Sequence, residues 1–329
     1  MHAGRNYSAA EVFRWTRREL LVFVVWSAVP PLLLTLDFEL VLMPWSPVAV
    51  LGTAVAFVTG FRSNAAYGRL WEARQVWGAI VNLSRAFAVQ ARDFVEGGEA
   101  ARPRRLVLRH VAWLTALRHQ LRQPRAWETQ GLRFNSEYRA RTFAVPEQGS
   151  ALEAELAPLL SEEELQAVLK KKNRALAVLS LQSEDLQRAA REGQLSDYRR
   201  VELSRAIAGL LDQQGKCERI KNFPYPRQFA TLNRFFVKLF IVLLPFGVTA
   251  EVLRLAPGSP WLALPMSVVL AWVLNTMDKI GVASENPFEG GPNDVPITAM
   301  SRSIEIDLLD LLNEPRLPAP VEPTHDILM

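Results

Sequence analysis

Residues 40–74 read LVLMPWSPVAVLGTAVAFVTGFRSNAAYGRLWEAR. Leu40 to Phe61 carries no charged side chain, and Arg62, Arg69, Glu72 and Arg74 then follow in quick succession. A bilayer is crossed by about 20 apolar residues, so the first part of this stretch is long enough to span one. No proline stands at the junction to break the backbone ladder. A single helix is therefore expected to pass from the membrane directly into water.

The rest of the chain repeats that contrast. Leu20–Leu36 is uncharged, and apolar sequence returns at Phe235–Val252 and Leu255–Met277. Between the two apolar blocks lies a long segment dense in Arg, Lys, Asp and Glu. A soluble chain would spread its apolar residues through amphipathic elements. The pattern predicts an all-α membrane protein with four transmembrane helices per subunit and a large helical cytoplasmic domain. Its expected parts are an N-terminal segment with helices one and two (1–61), the cytoplasmic domain (62–230), helices three and four (231–283) and a cytoplasmic C-terminal segment (284–329).

Composition narrows the function classes. The 329 residues have a net charge of +4 and a mean hydropathy near zero. That charge is spread out, with no basic stripe of the kind that would suggest nucleic acid. The single cysteine, Cys217, excludes an intrachain disulfide framework and is expected to be a buried, inert thiol. His2, His110, His119 and His325 show no metal-ligand spacing, so neither a metal nor a cofactor is expected. His119, beside Arg118, reads as a solvated helix position. No catalytic motif of the GxSxG, GxxxxGK[ST] or HExxH type is present. The glutamates of 152–164 read as a solvated helix face.

Basic residues near span ends tend to stay cytoplasmic. Arg14, Arg17 and Arg18 precede the first span, and Asp37 and Glu39 follow it. Arg62, Arg69 and Arg74 follow the second, Lys221, Arg227 and Arg234 precede the third, and Lys279 ends the fourth; Arg254 is a minor exception. Both termini and the middle domain are thus expected in the cytoplasm, with the chain a multi-pass protein of the cell inner membrane. The first apolar run is too long, and contains Pro30-Pro31, for a cleavable signal. Trp45, Trp261 and Trp272 have interface-anchor character. Pro245-Phe246-Gly247 in the third span and Pro30-Pro31 in the first suggest broken helices that rely on packed neighbours.

The middle segment reads as helical. Val107, His110, Val111, Leu114, Leu117 and Leu121 recur at three-to-four spacing, as do apolar residues in Leu152–Leu160, Glu162–Leu179 and Val201–Leu211. Ser161 and Glu164 form a capping box. Asn135–Gly149 is expected to be a loop, the Pro-rich tail Pro315–Met329 disordered, and sheet essentially absent.

In the second span Thr53, Phe57 and Phe61 recur at intervals of four, on one helical face. Small residues surround them: Gly52, Ala54, Ala56 and Gly60. Packing against lipid or a partner helix is one reading of this face. The other is that several copies of the helix surround an axis and form a hydrophobic constriction, which can gate by dewetting.

Taken in order, several motifs resemble the bestrophin family in its bacterial branch. They are GFRSNAAYGRLWEAR (60–74), Leu117-Arg118, Cys217 to Asn222 with Pro224 and Pro226, and Leu244-Pro245-Phe246-Gly247. Glu285-Asn286-Pro287-Phe288 and Asn293-Asp294 follow, with the acidic helix holding Arg302-Ser303-Ile304-Glu305-Ile306-Asp307. Each motif is weak alone; the ordered set spans nearly the whole chain. The resemblance implies a homopentameric ion channel in the lipid bilayer with inorganic ions as permeants and a central pore. Its membrane neck would correspond to Thr53, Phe57 and Phe61. A second, cytoplasmic narrowing would fall near Val201 by spacing from Cys217.

Two departures stand out. Animal family members are calcium-activated chloride channels whose clasp uses an acidic cluster after Asn-Pro-Phe. Here Ala283 precedes the motif and Glu289-Gly290-Gly291-Pro292-Asn293-Asp294 follows it, too few side-chain oxygens for an ion that takes six to eight. No calcium activation is expected. Thr53 also replaces an aliphatic residue usual in the family. Phe57 resembles the animal, anion-conducting pattern, and phenyl edges carry partial positive charge. Arg62, Arg69 and Arg74 would add to this if they face the pore. Chloride or another small anion is thus the expected permeant. A monovalent-cation channel of the same fold, a membrane-anchored helical scaffold, a transporter and an enzyme are the alternatives.

Overall fold

The computed structural model describes residues 1–38, 42–96 and 101–329. Glu39 and the start of the second apolar run, Leu40 and Val41, lie outside the described residues. Among those described the fold is helical, with only isolated bridges in place of strands. In chain order the helices are α1 (Ala9–Thr35), α2 (Trp45–Phe94), α3 (Ala101–Arg122), α4 (Arg133–Thr142), α5 (Pro146–Gly149) and α6 (Leu152–Leu156). There follow α7 (Glu162–Leu169), α8 (Arg174–Arg191), α9 (Asp197–Asn222), α10 (Arg227–Leu255), a 3₁₀ turn at Pro260–Leu262, α11 (Ala263–Ala283) and α12 (Ile297–Leu311).

Helix α2 runs unbroken for 50 residues. At 1.5 Å per residue that is about 75 Å, against about 30 Å of bilayer hydrocarbon. The helix must therefore leave the membrane, as its composition predicts. α1, α2, α10 and the segment Pro260–Ala283 are each long and apolar enough to cross a membrane.

The chain divides into two compact units. One comprises Arg5–Gly68 and Pro224–Glu285; the other comprises Met1–Gly4, Arg69–Phe223 and Asn286–Met329. The first unit holds the apolar segments. Its core is Phe23, Val48, Val55, Val237, Phe240, Leu244 and Val248, all buried. Leu21, Val25, Val50 and Phe235 point outward, exposed. Such a surface suits lipid or further subunits and is unsuited to water. Neither proline-containing helix is broken: α1 passes through Pro30-Pro31 and α10 through Pro245. A proline removes a backbone bond, and close to this one the Trp26 indole donates to Val242 O at 3.1 Å. A β-carbon on Gly247 would meet Val48 Cγ2 at 2.9 Å, so α2 and α10 approach too closely there for any side chain. Trp272 is half-buried and donates to Thr16 Oγ1 at 3.0 Å, while Trp261 is exposed.

The second unit is built around α3, which is buried nearly all round despite its charges. Its apolar stripe is the expected one. Its polar side is buried as well, because the cations find carboxylates. Arg109 pairs with Asp185 at 2.6 Å and with Glu164, and Arg118 pairs with Glu147 at 2.6 Å and with Glu155. His119 is correspondingly buried, 3.0 Å from Glu155 Oε1, and is not the solvated position its neighbours suggest. Glu155 and Glu164 likewise leave the solvated face expected of them. His110 is fully buried between Phe87 and Trp113, each with ring centroids 5.2 Å away, and burial lowers its pKa to about 3. It is a neutral core residue. Cys217 is buried, and burial pushes its thiol pKa up.

The Ser161–Glu164 capping box forms. Two sequence expectations are corrected. Asn135–Gly149, expected as a loop, carries α4 from Arg133 and α5. The Pro-rich tail ends in apolar Ile327 and Met329, which are buried with Phe143 and Val145. Ala299 N donates to Met329 O at 2.6 Å, so the end of the tail is anchored to the start of α12.

After α11 the chain enters a tight loop. Gly290 has φ +90, and a β-carbon there would meet Val145 Cγ2 at 2.8 Å, so only glycine fits. The Gly290 and Gly291 amides donate to Asp294 Oδ2 at 2.7 and 2.8 Å. Glu289 accepts from Thr129 N at 2.8 Å and from the Thr129 hydroxyl. Burial, reinforced by Asp294, raises the Glu289 pKa to about 8. The unfolded chain releases that proton near the ordinary carboxyl value of about 4.3. Between these values the folded state binds more protons, so stability is full at the acid end and falls as pH rises. The melting temperature of the full-length protein should therefore drop between about pH 5 and about pH 8, and Glu289→Gln should flatten the drop. A wild-type slope equal to that of Glu289→Gln would refute the assignment.

Candidate functional site

The stripe singled out by sequence lies on α2. Thr53, Phe57 and Phe61 all face outward in the unit that holds them, with Phe57 65% and Phe61 67% exposed. Their rings are neighbours, with centroids 5.8 Å apart and planes tilted by 52°. Ala56, Phe57, Gly60, Phe61 and Asn64 line a shallow open groove. The Thr53 hydroxyl donates to Ala49 O at 3.0 Å, within its own helix. The outer surface of the stripe is thus mostly methyl, phenyl and glycine, with Asn64 at one end. Val50, exposed one heptad before Phe57, extends it at the other end. Sequence reading passed over Val50 and Asn64, although both sit at helical spacing from Phe57.

The opposite face of the same helix is fixed. Val48, Val55, Thr59, Arg62 and Ala66 are buried, spaced by seven, four, three and four residues. Gly247 admits Val48, and Thr59 Oγ1 donates to Asn233 Oδ1 at 3.2 Å. Arg62 reaches Asp278 Oδ1 at 2.9 Å and Glu285 Oε2 at 3.0 Å. Asn233 Nδ2 donates to the same Asp278 oxygen at 2.7 Å, and Arg227 pairs with Glu285. Lys279 completes the polar interior nearby, bonded to Glu19 at 2.9 Å and to Trp15 O at 2.7 Å.

The three arginines named from the sequence therefore have different fates. Arg62 is 3% exposed, and its charge is matched by two carboxylates inside the subunit. Arg69 donates to Phe223 O and Ile220 O, both at 2.8 Å, holding α2 to the end of α9. Arg74 is exposed. Val201 is 39% exposed on α9, close to the more exposed Tyr198. The buried cluster around Arg62 was not legible as a cluster. Its only sequence signal was Asn233 and Asp278, polar residues bordering apolar runs.

The acidic loop does not fit calcium. Asp294 Oδ2 accepts from two backbone amides, and Glu289 accepts from Thr129; both carboxyls are buried, and burial favours their protonated forms. Calcium takes ionised oxygens that can turn toward it. Among the described residues no group of three His, Cys, Asp or Glu side chains is placed to hold a metal.

Comparison with known proteins agrees with this architecture. Residues 9–310 match the family described as Bacterial/Fungal Bestrophin protein. The chain is 29% identical over 279 residues to the voltage-dependent anion channel-forming protein YneE of Escherichia coli K12, covering 84% of this chain and 80% of that one. It is 29% identical over 273 residues to the voltage-dependent anion channel-forming protein RSc3414 of Ralstonia nicotianae, covering 83% and 78%. The crystal structure of a bacterial bestrophin homolog from Klebsiella pneumoniae superposes with a TM-score of 0.73 at 26% identity, covering 90% of this chain and 98% of that chain. Sequence, helical order and structural likeness converge: this chain belongs to the bacterial and fungal bestrophins.

Proposed function

We propose that this protein is an ion channel of the bacterial inner membrane, built from five copies of the chain and conducting chloride or other small anions. The observation that carries the reading is the two-sidedness of α2. One face is locked by buried packing and ion pairs, while the other presents Thr53, Phe57, Phe61 and Asn64, exposed and uncharged. Helices of that kind arranged about an axis enclose a narrow apolar neck. The E. coli and Ralstonia relatives, named as voltage-dependent anion channel-forming proteins, support anion passage.

On this reading the neck is Thr53, Phe57 and Phe61, and Thr53 makes its upper ring easier to wet than an aliphatic residue would. Phenyl edges turned to the axis favour an anion. Val201 forms a second, cytoplasmic aperture. The termini, residues 62–230 and residues 284–329 lie on the cytoplasmic side. The channel does not respond to calcium, because Glu289 and Asp294 already have internal partners. The protein transports ions and catalyses no reaction. Cation conduction is the second reading. It is favoured by the fate of Arg62, whose charge is neutralised inside the subunit and cannot attract anions to the neck.

Purified protein in a planar bilayer under a KCl gradient separates these readings. The expected reversal potential lies near that of chloride, and Phe57→Ile should move it toward zero. Reversal near the potassium potential would establish the cation reading, and well-folded protein without current would favour a scaffold.

Arg62→Gln distinguishes a structural arginine from a selectivity filter. Removing one partner of a buried ion pair costs about 3–5 kcal/mol. The variant should therefore lose yield and melting temperature, and any protein that folds should keep the wild-type reversal potential. Normal stability with altered selectivity would place Arg62 at the pore.

A further inference from the structure

A concentration of cations in the second unit has no role in the neck. Lys170, Lys171 and Lys172 are consecutive and exposed, and Arg174 opens α8. With Arg122 of α3 they border an open cleft of about 590 Å³. That volume is within the usual range for small-ligand sites, about 300–1,000 Å³. Among the described residues none of the three lysines, nor Arg174, has a carboxylate or hydrogen-bond partner for its side chain.

The local electrostatics leave this cluster unbalanced. Lys170 caps the C-terminus of α7, where a cation is favourable. Lys171, Lys172 and Arg174 instead stand at the N-terminus of α8, where the helix dipole favours negative charge. The first turn of α8 contains no acidic residue, and its N-cap is made by neutral Asn173, whose Oδ1 accepts from Leu176 N at 2.9 Å. Three cations thus stand at a positive helix end with no acidic side chain paired to them.

The floor of the cleft points the same way. Arg122 is buried, its side chain 1% exposed, and none of its three guanidinium nitrogens has a hydrogen-bond partner. Glu147 Oε2 and Asp294 Oδ2 stand 3.6 and 3.8 Å away, balancing its charge without accepting from it. The other Glu147 oxygen is taken by Arg118 at 2.6 Å and by the Thr298 hydroxyl at 2.5 Å. A buried guanidinium without acceptors is costly, and its fork geometry matches phosphate. No Phe, Tyr or Trp side chain lines the cleft, and its one imidazole, His119, is engaged with Glu155.

We propose that the cleft between Arg122, Lys171, Lys172 and Arg174 binds a small polyanion through its phosphate groups. Its ligand is compact and multiply charged, held by lysines at the rim and by Arg122 at the floor. Soluble phosphate compounds and anionic lipid headgroups share this chemistry.

The test is calorimetric titration of the full-length protein in detergent with inorganic tripolyphosphate. One equivalent per chain should bind, more weakly as salt rises. Lys171→Gln/Lys172→Gln changes only exposed residues, so the fold should persist, and affinity should fall about tenfold or more. Lys216→Gln on α9, a cation outside the cleft, should leave it unchanged. Displacement by a short-chain phosphatidylglycerol would identify a lipid headgroup as the source, and failure to displace would identify a free phosphate compound. The proposal is overturned if wild-type protein binds no tripolyphosphate, as when acidic groups of a neighbouring subunit fill the cleft. It is equally overturned if the lysine double variant binds as tightly as wild type.

Discussion

Arg62 stands where α2 passes from uncharged to charged sequence, and two carboxylates, Asp278 and Glu285, hold it there at 2.9 and 3.0 Å. A guanidinium buried among apolar helices is tolerable only with such partners, because its desolvation cost must be matched by ion pairing and hydrogen bonds. Asn233 and Arg227 supply the remaining contacts to those carboxylates. The cluster therefore ties α2 to α10, to the end of α11 and to the residues just beyond it. It also fixes the rotation of α2 about its own axis. With Arg62 turned inward, Phe57 and Phe61 must turn outward, since residues five and one positions away fall on other faces of a helix. The outward stripe is the geometric consequence of a buried ion-pair cluster.

The second unit applies the same physics. α3 carries arginines along its length and is nevertheless the most enclosed helix of that unit. Its burial depends on Asp185, Glu147, Glu155 and Glu164 reaching it from other elements. Replacing one side of such a pair strands the other, so this unit depends on charge matching as well as on its apolar core. At Arg122 hydrogen bonding is incomplete, and the Lys170–Arg174 cluster lacks paired carboxylates.

Much of this was legible in the sequence, for identifiable reasons. Charge-free runs of membrane length have few readings other than spanning helices, and an apolar-to-charged junction without proline signals one continuous helix, as α2 is. Spacing put Thr53, Phe57 and Phe61 on one helical face; their reading as a neck came from the family resemblance. What stayed hidden was pairing between residues distant in sequence. Arg62 looks like an ordinary cytoplasmic arginine until Asp278 and Glu285 are placed beside it. His119 and Glu155 look solvated until they meet. Proline statistics suggested a disordered tail, but Ile327 and Met329 find an apolar seat against Phe143 and Val145. Proline also suggested breaks in α1 and α10, yet both helices continue, with packed neighbours around the interrupted bonds.

The family places this architecture among membrane channels, and the two-sided α2 gives it a candidate conduction surface. The decisive question is whether Phe57 faces permeating ions. The single native cysteine is buried with its thiol pKa pushed up, so it is silent toward thiol reagents. Phe57→Cys in reconstituted channels, exposed to a charged, membrane-impermeant methanethiosulfonate, reports on this position alone. The structure predicts that current through Phe57→Cys changes sharply on modification, while Val25→Cys on the outward face of α1 does not respond. Unchanged current at Phe57→Cys, with modification verified by mass, would show that the aromatic stripe faces lipid or a partner helix and would contradict the pore assignment.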